Sequence, residues 1–312
     1  MRILSRLAVL LALVVGLAVL PGPAAHAAYY NTYADIASTP DTSGTTGAQG
    51  FAAGSTYLYS IKNRSSDDGR AVIYRVNKKT GAKVVMRNGT DKRAYNTWLG
   101  HANDMTIVDI DGKHYFFVVT MKKTGAQLVK LRYDGTTYYK TGSYKVRLGT
   151  NVAAVSGITR VGASSTQIKF FFKSGRQVYN GALPLRANTG TVKLTKAFVL
   201  KVDGALVNGS KVSGLGDYLH QGVYFDAAHK SLYVPLTKGN RSIVLVYRGI
   251  TTAKTGTAVS ASNLSFRITS SKYSKFEIEG VGLSGGKLYF NTNRANSTGA
   301  YDGVHVFKGY TA

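Results

Sequence analysis

Polar and apolar positions repeat along this chain in a short pattern that opens five β-rich segments. Each opening has a polar residue, then glycine or aspartate, then an apolar residue. The five triplets are Gln49-Gly50-Phe51, Asn103-Asp104-Met105, Ser156-Gly157-Ile158, Gln221-Gly222-Val223 and Glu279-Gly280-Val281. Their first residues lie 54, 53, 65 and 58 residues apart, close to the length of a four-stranded propeller blade.

Runs of β-branched and aromatic residues follow each triplet, as expected for strands. Turn signals such as Asp111-Gly112 and Asp134-Gly135 separate the runs, where hairpins need them. The pattern predicts an all-β fold, a single five-bladed β-propeller over residues 28–312. The last segment ends one strand short, so we expect residues 29–36 to supply the missing strand and close the ring.

Residues 1–27 have the pattern of a secretory signal peptide. Arg2 and Arg6 flank the start of an apolar run over residues 7–20, and Ala25-His26-Ala27 follows it. The run is shorter than the roughly 20 residues that a membrane span needs. We therefore expect cleavage before Ala28 and a secreted, extracellular protein without a membrane span. The chain has no cysteine, so core packing and ring closure must hold it together.

The chain is strongly basic, with 40 Lys and Arg against 15 Asp and Glu, a net charge of +25. Such a charge attracts polyanions without specifying which one. Basic residues follow the second strand of every predicted blade, and they are Lys62, Arg64, Lys122, Lys123, Lys173, Arg176, Lys238, Arg241 and Arg294. We predict that they form a cationic ring on the face where the triplets begin, suited to phosphate or carboxylate. The alternative is that they only solvate an exposed surface.

A central funnel inside this ring would be lined by polar residues from the five openings. These are Gln49, His101, Asn103, Asp104, Ser156, His220, Gln221, Glu277 and Glu279. Asp104 occupies a position where the other four triplets have glycine, and Glu277 and Glu279 are the only glutamates of the chain. Their alternate positions on a strand put both glutamates on one face. The alternative is that the carboxylates balance nearby cations and the histidines are structural.

These groups also permit catalysis. An acid and base pair such as Asp104 with Glu279 would protonate a leaving oxygen and activate water, with His101 and His220 as further candidates. A histidine with a glutamate would instead hold a divalent cation, and no other cofactor is predicted. No nucleophile elbow, His-Glu-x-x-His helix or phosphate-cradling loop is present in the sequence. Trp98 would either stack on a sugar ring or pack between blades.

Several of these segments carry a family resemblance. Gly100-His101-Ala102-Asn103-Asp104-Met105, residues 220–226 and residues 276–281, with Gln49-Gly50-Phe51 before them, resemble the inner-strand openings of helveticin J-like proteins. They are also similar to five-bladed propellers related to teichoic-acid-associated proteins and phage wall-receptor binders. The resemblance implies a secreted propeller that acts at Gram-positive cell walls, as a bacteriocin-like antagonist or as a binder of wall polymer.

Charge and resemblance together favour a non-catalytic binding module for an anionic cell-envelope polymer or glycan such as teichoic acid, with a bacteriocin-like antibacterial role. The alternative is an extracellular hydrolase or lyase acting on a polysaccharide or phosphodiester in the funnel, with His101, Asp104, His220 and Glu279 as its catalytic residues. Nucleic acid ranks third as a partner, because export removes its usual source although phosphate attraction would be real.

Overall fold

The computed structural model describes residues 32–207, 209–261 and 264–310. The predicted signal peptide and residues 29–31 of the predicted closing segment lie outside the described residues. Within them the chain is built of strands, and the one helical element is a 3-10 turn at Leu215–Asp217. The all-β prediction is confirmed. No helix in the described ranges has the length and apolarity to cross a membrane.

The strands are short, and most join hairpin neighbours. Up to residue 184 they are β1 (Tyr33–Ser38), β2 (Gly47–Ala53), β3 (Tyr57–Asn63), β4 (Ala71–Asn77), β5 (Lys83–Val85), β6 (Arg87–Asn88), β7 (Asp104–Ile110), β8 (Lys113–Val119), β9 (Leu128–Asp134), β10 (Thr137–Leu148), β11 (Asn151–Val152), β12 (Gly157–Ala163), β13 (Gln167–Ser174) and β14 (Gln177–Pro184). Beyond it they are β15 (Thr189–Lys201), β16 (Leu206–Val207), β17 (Ser210–Lys211), β18 (Leu219–His220), β19 (Tyr224–Asp226), β20 (Ser231–Lys238), β21 (Arg241–Tyr247), β22 (Gly256–Val259), β23 (Phe266–Thr269), β24 (Lys275–Ser284), β25 (Lys287–Asn296), β26 (Gly299–Ala300) and β27 (Gly303–Phe307).

The principal strands pair into antiparallel groups of four. Among the described residues these groups are β2-β3-β4-β5, β7-β8-β9-β10, β12-β13-β14-β15, β19-β20-β21-β23 and β24-β25-β27-β1, with β18 continuing the innermost strand before β19. A parallel pairing of β10 with β15 joins the second and third groups at their outer edges. Each innermost strand contains or directly follows one of the sequence triplets.

The innermost strands form a closed ring. β2 packs beside β7 and β24, β12 packs beside β7 and β19, and β19 packs beside β24. The N-terminal strand β1 completes the last group by pairing antiparallel with β27, with Tyr33 opposite Phe307 and Ser38 opposite Gly303. The predicted all-β propeller is therefore confirmed, and the N-terminal strand completes the last group of strands as predicted. The number of five blades stays a prediction.

The hydrophobic core lies between neighbouring groups of strands. Phe116 and Tyr133 stack with ring centroids 4.0 Å apart, and Tyr59 from the first group meets Phe116 edge-on at 4.7 Å. Tyr138, Tyr144, Tyr233 and Tyr247 are fully buried in the same way. These large aromatic rings fill the wedge between sheets, which explains the abundance of tyrosine in the strands.

The glycines of the triplets mark the level at which the innermost strands approach most closely. A Cβ atom at Gly280 would lie 2.7 Å from the Cβ atom of Phe51, and one at Gly50 would lie 2.9 Å from the carbonyl oxygen of Ala102. Side chains do not fit at such distances. We call this level the waist. The innermost strands surround a central channel, and the waist divides this channel into two ends. The innermost strands begin at the polar end and finish at the cavity end.

Candidate functional site

Asp104 connects three groups of strands at the waist. Its Oδ2 accepts hydrogen bonds of 2.9 Å from the backbone N–H groups of Ile158 and Val223, and its Oδ1 accepts one of 2.9 Å from Met105. Burial raises the pKa of this carboxyl to about 7, although the three N–H donors and the charge of Lys173 act in the opposite direction. Asp104 therefore replaces a glycine because its carboxylate holds the ring together.

Lys173 lies beside Asp104 in the interior. Its side chain is fully buried in β13, and its Nζ is 3.5 Å from the hydroxyl of Ser156. Burial lowers the pKa of Lys173 to about 8, and the negative charge of Asp104 opposes this shift. The two opposite charges compensate each other in a region that water does not reach.

Glu277 and Glu279 form a carboxyl pair on β24. The register of β24 against β25 shifts between Ile278 and Gly280, which makes Glu279 a bulge residue. Burial first, and the neighbouring Glu277 carboxyl second, raise the pKa of Glu279 well above its ordinary value, and the two side chains share a hydrogen bond. Glu279 is buried, whereas the side chain of Glu277 is 16% exposed and lies 3.0 Å from the Nζ of Lys275. A buried carboxyl with a raised pKa thus lies behind one that reaches the surface.

Amide side chains cover the waist at its polar end. The Nδ2 of Asn103 donates to the carbonyl of Ser156 at 2.6 Å, and Gln49 and Gln221 are each 8% exposed. The Oε1 of Gln49 is buried and has no hydrogen-bond partner among the described residues. Buried polar atoms rarely stay unsatisfied, so this oxygen is a candidate acceptor for a ligand hydroxyl.

The two candidate histidines have different surroundings. The Nδ1 of His101 lies 3.0 Å from the Oδ1 of Asp68, and the side chain is 35% exposed. Burial first, then the charges of Lys173 and Arg176, lower the pKa of His220 to about 4, so this ring is neutral at neutral pH. Its buried Nδ1 has no partner in the described part of the chain.

Three residues of the predicted cationic ring lie inside the protein, and their prediction as exposed turn residues is wrong. The Nζ of Lys62 is 3.0 Å from Asp302 and 2.5 Å from Asp41, and its side chain is fully buried. Arg294, 4% exposed, pairs with Asp35 at 3.0 Å. Like Lys173, these two cations lie within second strands, near their C-terminal ends, where alternate residues face neighbouring groups rather than solvent.

The remaining predicted ring residues reach the surface to different degrees. Arg64 pairs with Asp67, Arg176 with Asp203, Lys238 with Asp217, and Arg241 donates to the hydroxyl of Tyr218. Lys122 and Lys123 have no acidic partner among the described residues. Of the ring residues that reach the surface, Lys122, Lys123 and Arg241 therefore lack an acidic partner among the described residues.

Trp98 packs against the second group of strands. Its ring meets Tyr138 edge-on at 6.2 Å, and the Nζ of Lys140 lies 5.3 Å from the ring centroid. Trp98 also lines the core cluster of that group. These contacts show that the Trp98 indole is used in packing, one of its two predicted roles. Its other predicted role, stacking on a sugar ring, stays a prediction.

Sequence reasoning missed two polar residues at the polar end. Asn291 donates from Nδ2 to the carbonyl of Gln49 at 2.6 Å and accepts from the backbone N–H of Gly280 at 3.0 Å. Asp302 is buried against Lys62. Both residues lie far from the triplets in sequence, and no local pattern marks them. They show that much of the polar chemistry here connects one group of strands to the next.

No group of three or more His, Asp or Glu side chains arranged to hold a metal ion occurs in the described ranges. The prediction of a divalent cation stays a prediction.

The comparisons with known proteins support the fold. No family model matches the chain. No curated protein matches it either. The structure of RS223-β-xylosidase is 9% identical, with a TM-score of 0.50, over 88% of this chain and 94% of that one. A GH43_1 enzyme from Xanthomonas citri is 9% identical, with a TM-score of 0.48, over 89% and 90%. CoXyl43, a GH43 β-xylosidase/α-arabinofuranosidase from a compost microbial metagenome, is 8% identical, with a TM-score of 0.49, over 88% and 95%.

At 9% identity, the likeness to RS223-β-xylosidase shows a shared fold. The propeller component of the sequence resemblance is thus supported by this solved structure. None of the comparisons supports the helveticin J-like assignment, which stays a prediction.

Proposed function

We propose that this protein acts on a polysaccharide at the polar end of its channel, and that hydrolysis of a glycosidic bond is the reaction. The carboxyl pair of Glu279 and Glu277 carries the proposal. Glycoside hydrolysis needs a carboxyl group that stays protonated at neutral pH and gives its proton to the leaving oxygen. Burial and the second carboxyl both raise the pKa of Glu279, which favours this state.

The exposure of the two carboxyls assigns their roles. Glu279 is buried, so it reaches a substrate only through Glu277, whose side chain is partly accessible. Glu277 would pass the proton of Glu279 to the glycosidic oxygen through their shared hydrogen bond, and the proton that the base takes from water would later restore the pair. Glu277 is therefore the residue that contacts substrate, and Glu279 is its proton donor.

A base that activates water is the second requirement. Both carboxylate oxygens of Asp104 are occupied by backbone N–H groups of the waist, which suits this residue to a structural role. His101 is a better candidate, because Asp68 holds its Nδ1 and leaves Nε2 for a water proton. The amide groups of Gln49 and Gln221 would bind sugar hydroxyls between the acid and the base.

Xylan is the first substrate to test, because the similar solved structure of highest TM-score named above is a β-xylosidase. Purified protein is incubated with xylan, arabinan and Gram-positive sacculi, and soluble reducing ends are measured. We expect fragment release by the wild type and at least a hundredfold loss in Glu277→Gln, because general acid catalysis contributes on the order of 10²- to 10⁴-fold. Asp217→Asn, on an exposed pair with Lys238, is the matched control. Fragment release at the wild-type rate by Glu277→Gln would remove this pair from the mechanism.

A second candidate is the non-catalytic binding of an anionic cell-envelope polymer. The unpaired Lys122 and Lys123 and the net charge of +25 favour it. Sacculi with and without teichoic acid distinguish the two functions, because a binding module would be depleted from solution only by sacculi that keep the polymer and would release nothing. Secretion, the antibacterial role and the binding of nucleic acid stay predictions.

A further inference from the structure

A cavity of about 810 Å³ opens at the cavity end of the channel. Its floor includes the third residues of four triplets, Phe51, Met105, Val223 and Val281. Each of these side chains is at most 4% exposed, so they form an apolar layer directly beyond the waist. This layer and the strand contacts of the waist separate the cavity from Glu277 and the polar end.

Aromatic side chains form much of the cavity wall. Tyr57, Tyr59, Tyr133 and Tyr224 line it. Packing fixes the orientations of these rings. The guanidinium of Arg75 lies 4.2 Å from the ring centroid of Tyr57, and the ring centroids of Tyr59 and Tyr133 are 5.1 Å apart. Tyr59 and Tyr133 are at most 8% exposed, so the half-buried Tyr57 and Tyr224 offer most of the aromatic surface to a ligand, without a large loss of side-chain entropy.

Charged groups lie around this wall in nearly equal numbers. The carboxylates are those of Asp109, Asp134 and Asp226, and the cations are Arg75 and Arg160. In a chain with a net charge of +25, this balance makes the cavity a poor site for a polyanion. Of these cations, Arg75 already donates from one guanidinium nitrogen to the carbonyl of Gly135 at 2.8 Å.

We propose that this cavity is a second binding site, and that its ligand is a neutral saccharide of two or three sugar units. Its volume lies within the range of about 300 to 1,000 Å³ typical of small-molecule sites. The C–H faces of a sugar ring pack on aromatic walls, carboxylates accept hydrogen bonds from its hydroxyls, and arginines donate to its oxygens. The site does not depend on hydrolysis at the polar end and would bind saccharide in a protein without any activity there.

The test measures binding of xylotriose, cellotriose and maltotriose by isothermal titration calorimetry, with the full chain after signal removal. Ile107→Trp fills the cavity from a half-buried position in its wall, and Asp109→Ala removes an acceptor whose side chain is 65% exposed. The control Asp91→Ala removes another exposed carboxylate, paired with Arg93 outside the cavity. Circular dichroism verifies that each variant is folded.

We expect at least one trisaccharide to bind. Its affinity should fall about tenfold in Asp109→Ala, as for the loss of a hydrogen bond to a charged group, and below detection in Ile107→Trp, and it should be unchanged in Asp91→Ala. Binding by none of the three sugars overturns the proposal. The proposal is also overturned if Glu277→Gln abolishes binding while both cavity variants still bind the sugar. The sugar would then bind only at the polar end, a result that fits the proposed function but not a second site.

Discussion

The two ends of the channel use similar side chains in opposite ways. At the polar end, Lys62 and Asp302 form an ion pair whose side chains are both fully buried. At the cavity end, Asp109 and His114 form a contact whose side chains are 65% and 58% exposed. The residues that the repeat pattern singled out are largely committed to holding strands together, whereas an open cavity lies where the sequence had suggested nothing. A residue that stands out in a sequence motif is therefore first a candidate for holding strands together, and only then a candidate for ligand binding.

We expect the largest loss of stability from a substitution that breaks the buried ion pair of the polar end. Lys62→Met should lower the free energy of unfolding by about 3 to 5 kcal/mol, because Asp302 would remain buried without its partner. Lys238→Met removes a lysine with the same 3.0 Å distance to an aspartate on an exposed surface, and should cost less than about 1 kcal/mol. Urea unfolding at neutral pH measures both. Equal losses in the two variants would contradict the difference in burial.

Acid should weaken the junction that closes the ring. Burial lowers the pKa of His305 to about 4, from 6.5. The folded protein therefore keeps this ring neutral while the unfolded chain takes up a proton. The Nδ1 of His305 donates to Asp35 on the N-terminal strand, and its Nε2 lies 2.7 Å from the hydroxyl of Thr292. The free energy of unfolding should fall by on the order of 2 to 3 kcal/mol from this residue as the pH falls from 6.5 to about 4, and no further below that.

Urea titrations at pH 7, 5.5 and 4 check this pH dependence. His305→Gln should be less stable than the wild type at pH 7 and should lose less stability on acidification. The hydrogen bond from His305 also lowers the pKa of Asp35 to about 2, so the wild type loses further stability as the pH falls below the ordinary aspartate range, and the variant without this imidazole should lose less there. Parallel curves for the two proteins between pH 7 and 4 would show that His305 is not the titrating group.

Glycine-to-alanine substitutions at the waist and away from it test how tightly the innermost strands pack there. A Cβ atom at Gly222 would lie 2.9 Å from the Oδ1 of Asp104 and 3.0 Å from the carbonyl oxygen of Glu279. Gly222→Ala should therefore cost about 1 to 3 kcal/mol. Near the end of β12, no atom lies within 4 Å of a Cβ placed on Gly162, and Gly162→Ala should be neutral or stabilising by up to about 1 kcal/mol. Thermal unfolding of both variants measures the difference, and a loss at Gly162 as large as at Gly222 would contradict it.

The sequence was sufficient for the fold because the repeat reflects a physical requirement. Innermost strands that meet at one level need a residue without a side chain, and four of the five triplets have glycine there. The exception, Asp104, stands out in the sequence, but two of its three backbone partners, Ile158 and Val223, come from distant parts of the chain. A local pattern does not contain that information.

The errors at the candidate site have a specific origin. Lys62, Lys173 and Arg294 were assigned to turns, and the strands in fact extend past them. Since side chains alternate along a strand, an error of a few residues in a strand boundary changes an exposed cation into a buried one. The cavity end was missed for another reason. Arg75, Asp109 and Arg160 come from three different groups of strands, so no sequence motif joins them.

The smallest expected effect on stability distinguishes the surface cations from the buried ones. Neutralising Lys122, Lys123, Lys238 and Arg241 together should change the free energy of unfolding by less than about 1 kcal/mol, because exposed charges contribute little. The same variant should bind teichoic-acid-containing sacculi more weakly and with a flatter dependence on salt, since fewer counterions are released. Its affinity for a neutral trisaccharide should stay unchanged, because none of the four residues lines the cavity. Retention on sacculi at low salt equal to that of the wild type would exclude these cations as the polymer site, and any ionic contact would then have to involve other basic residues.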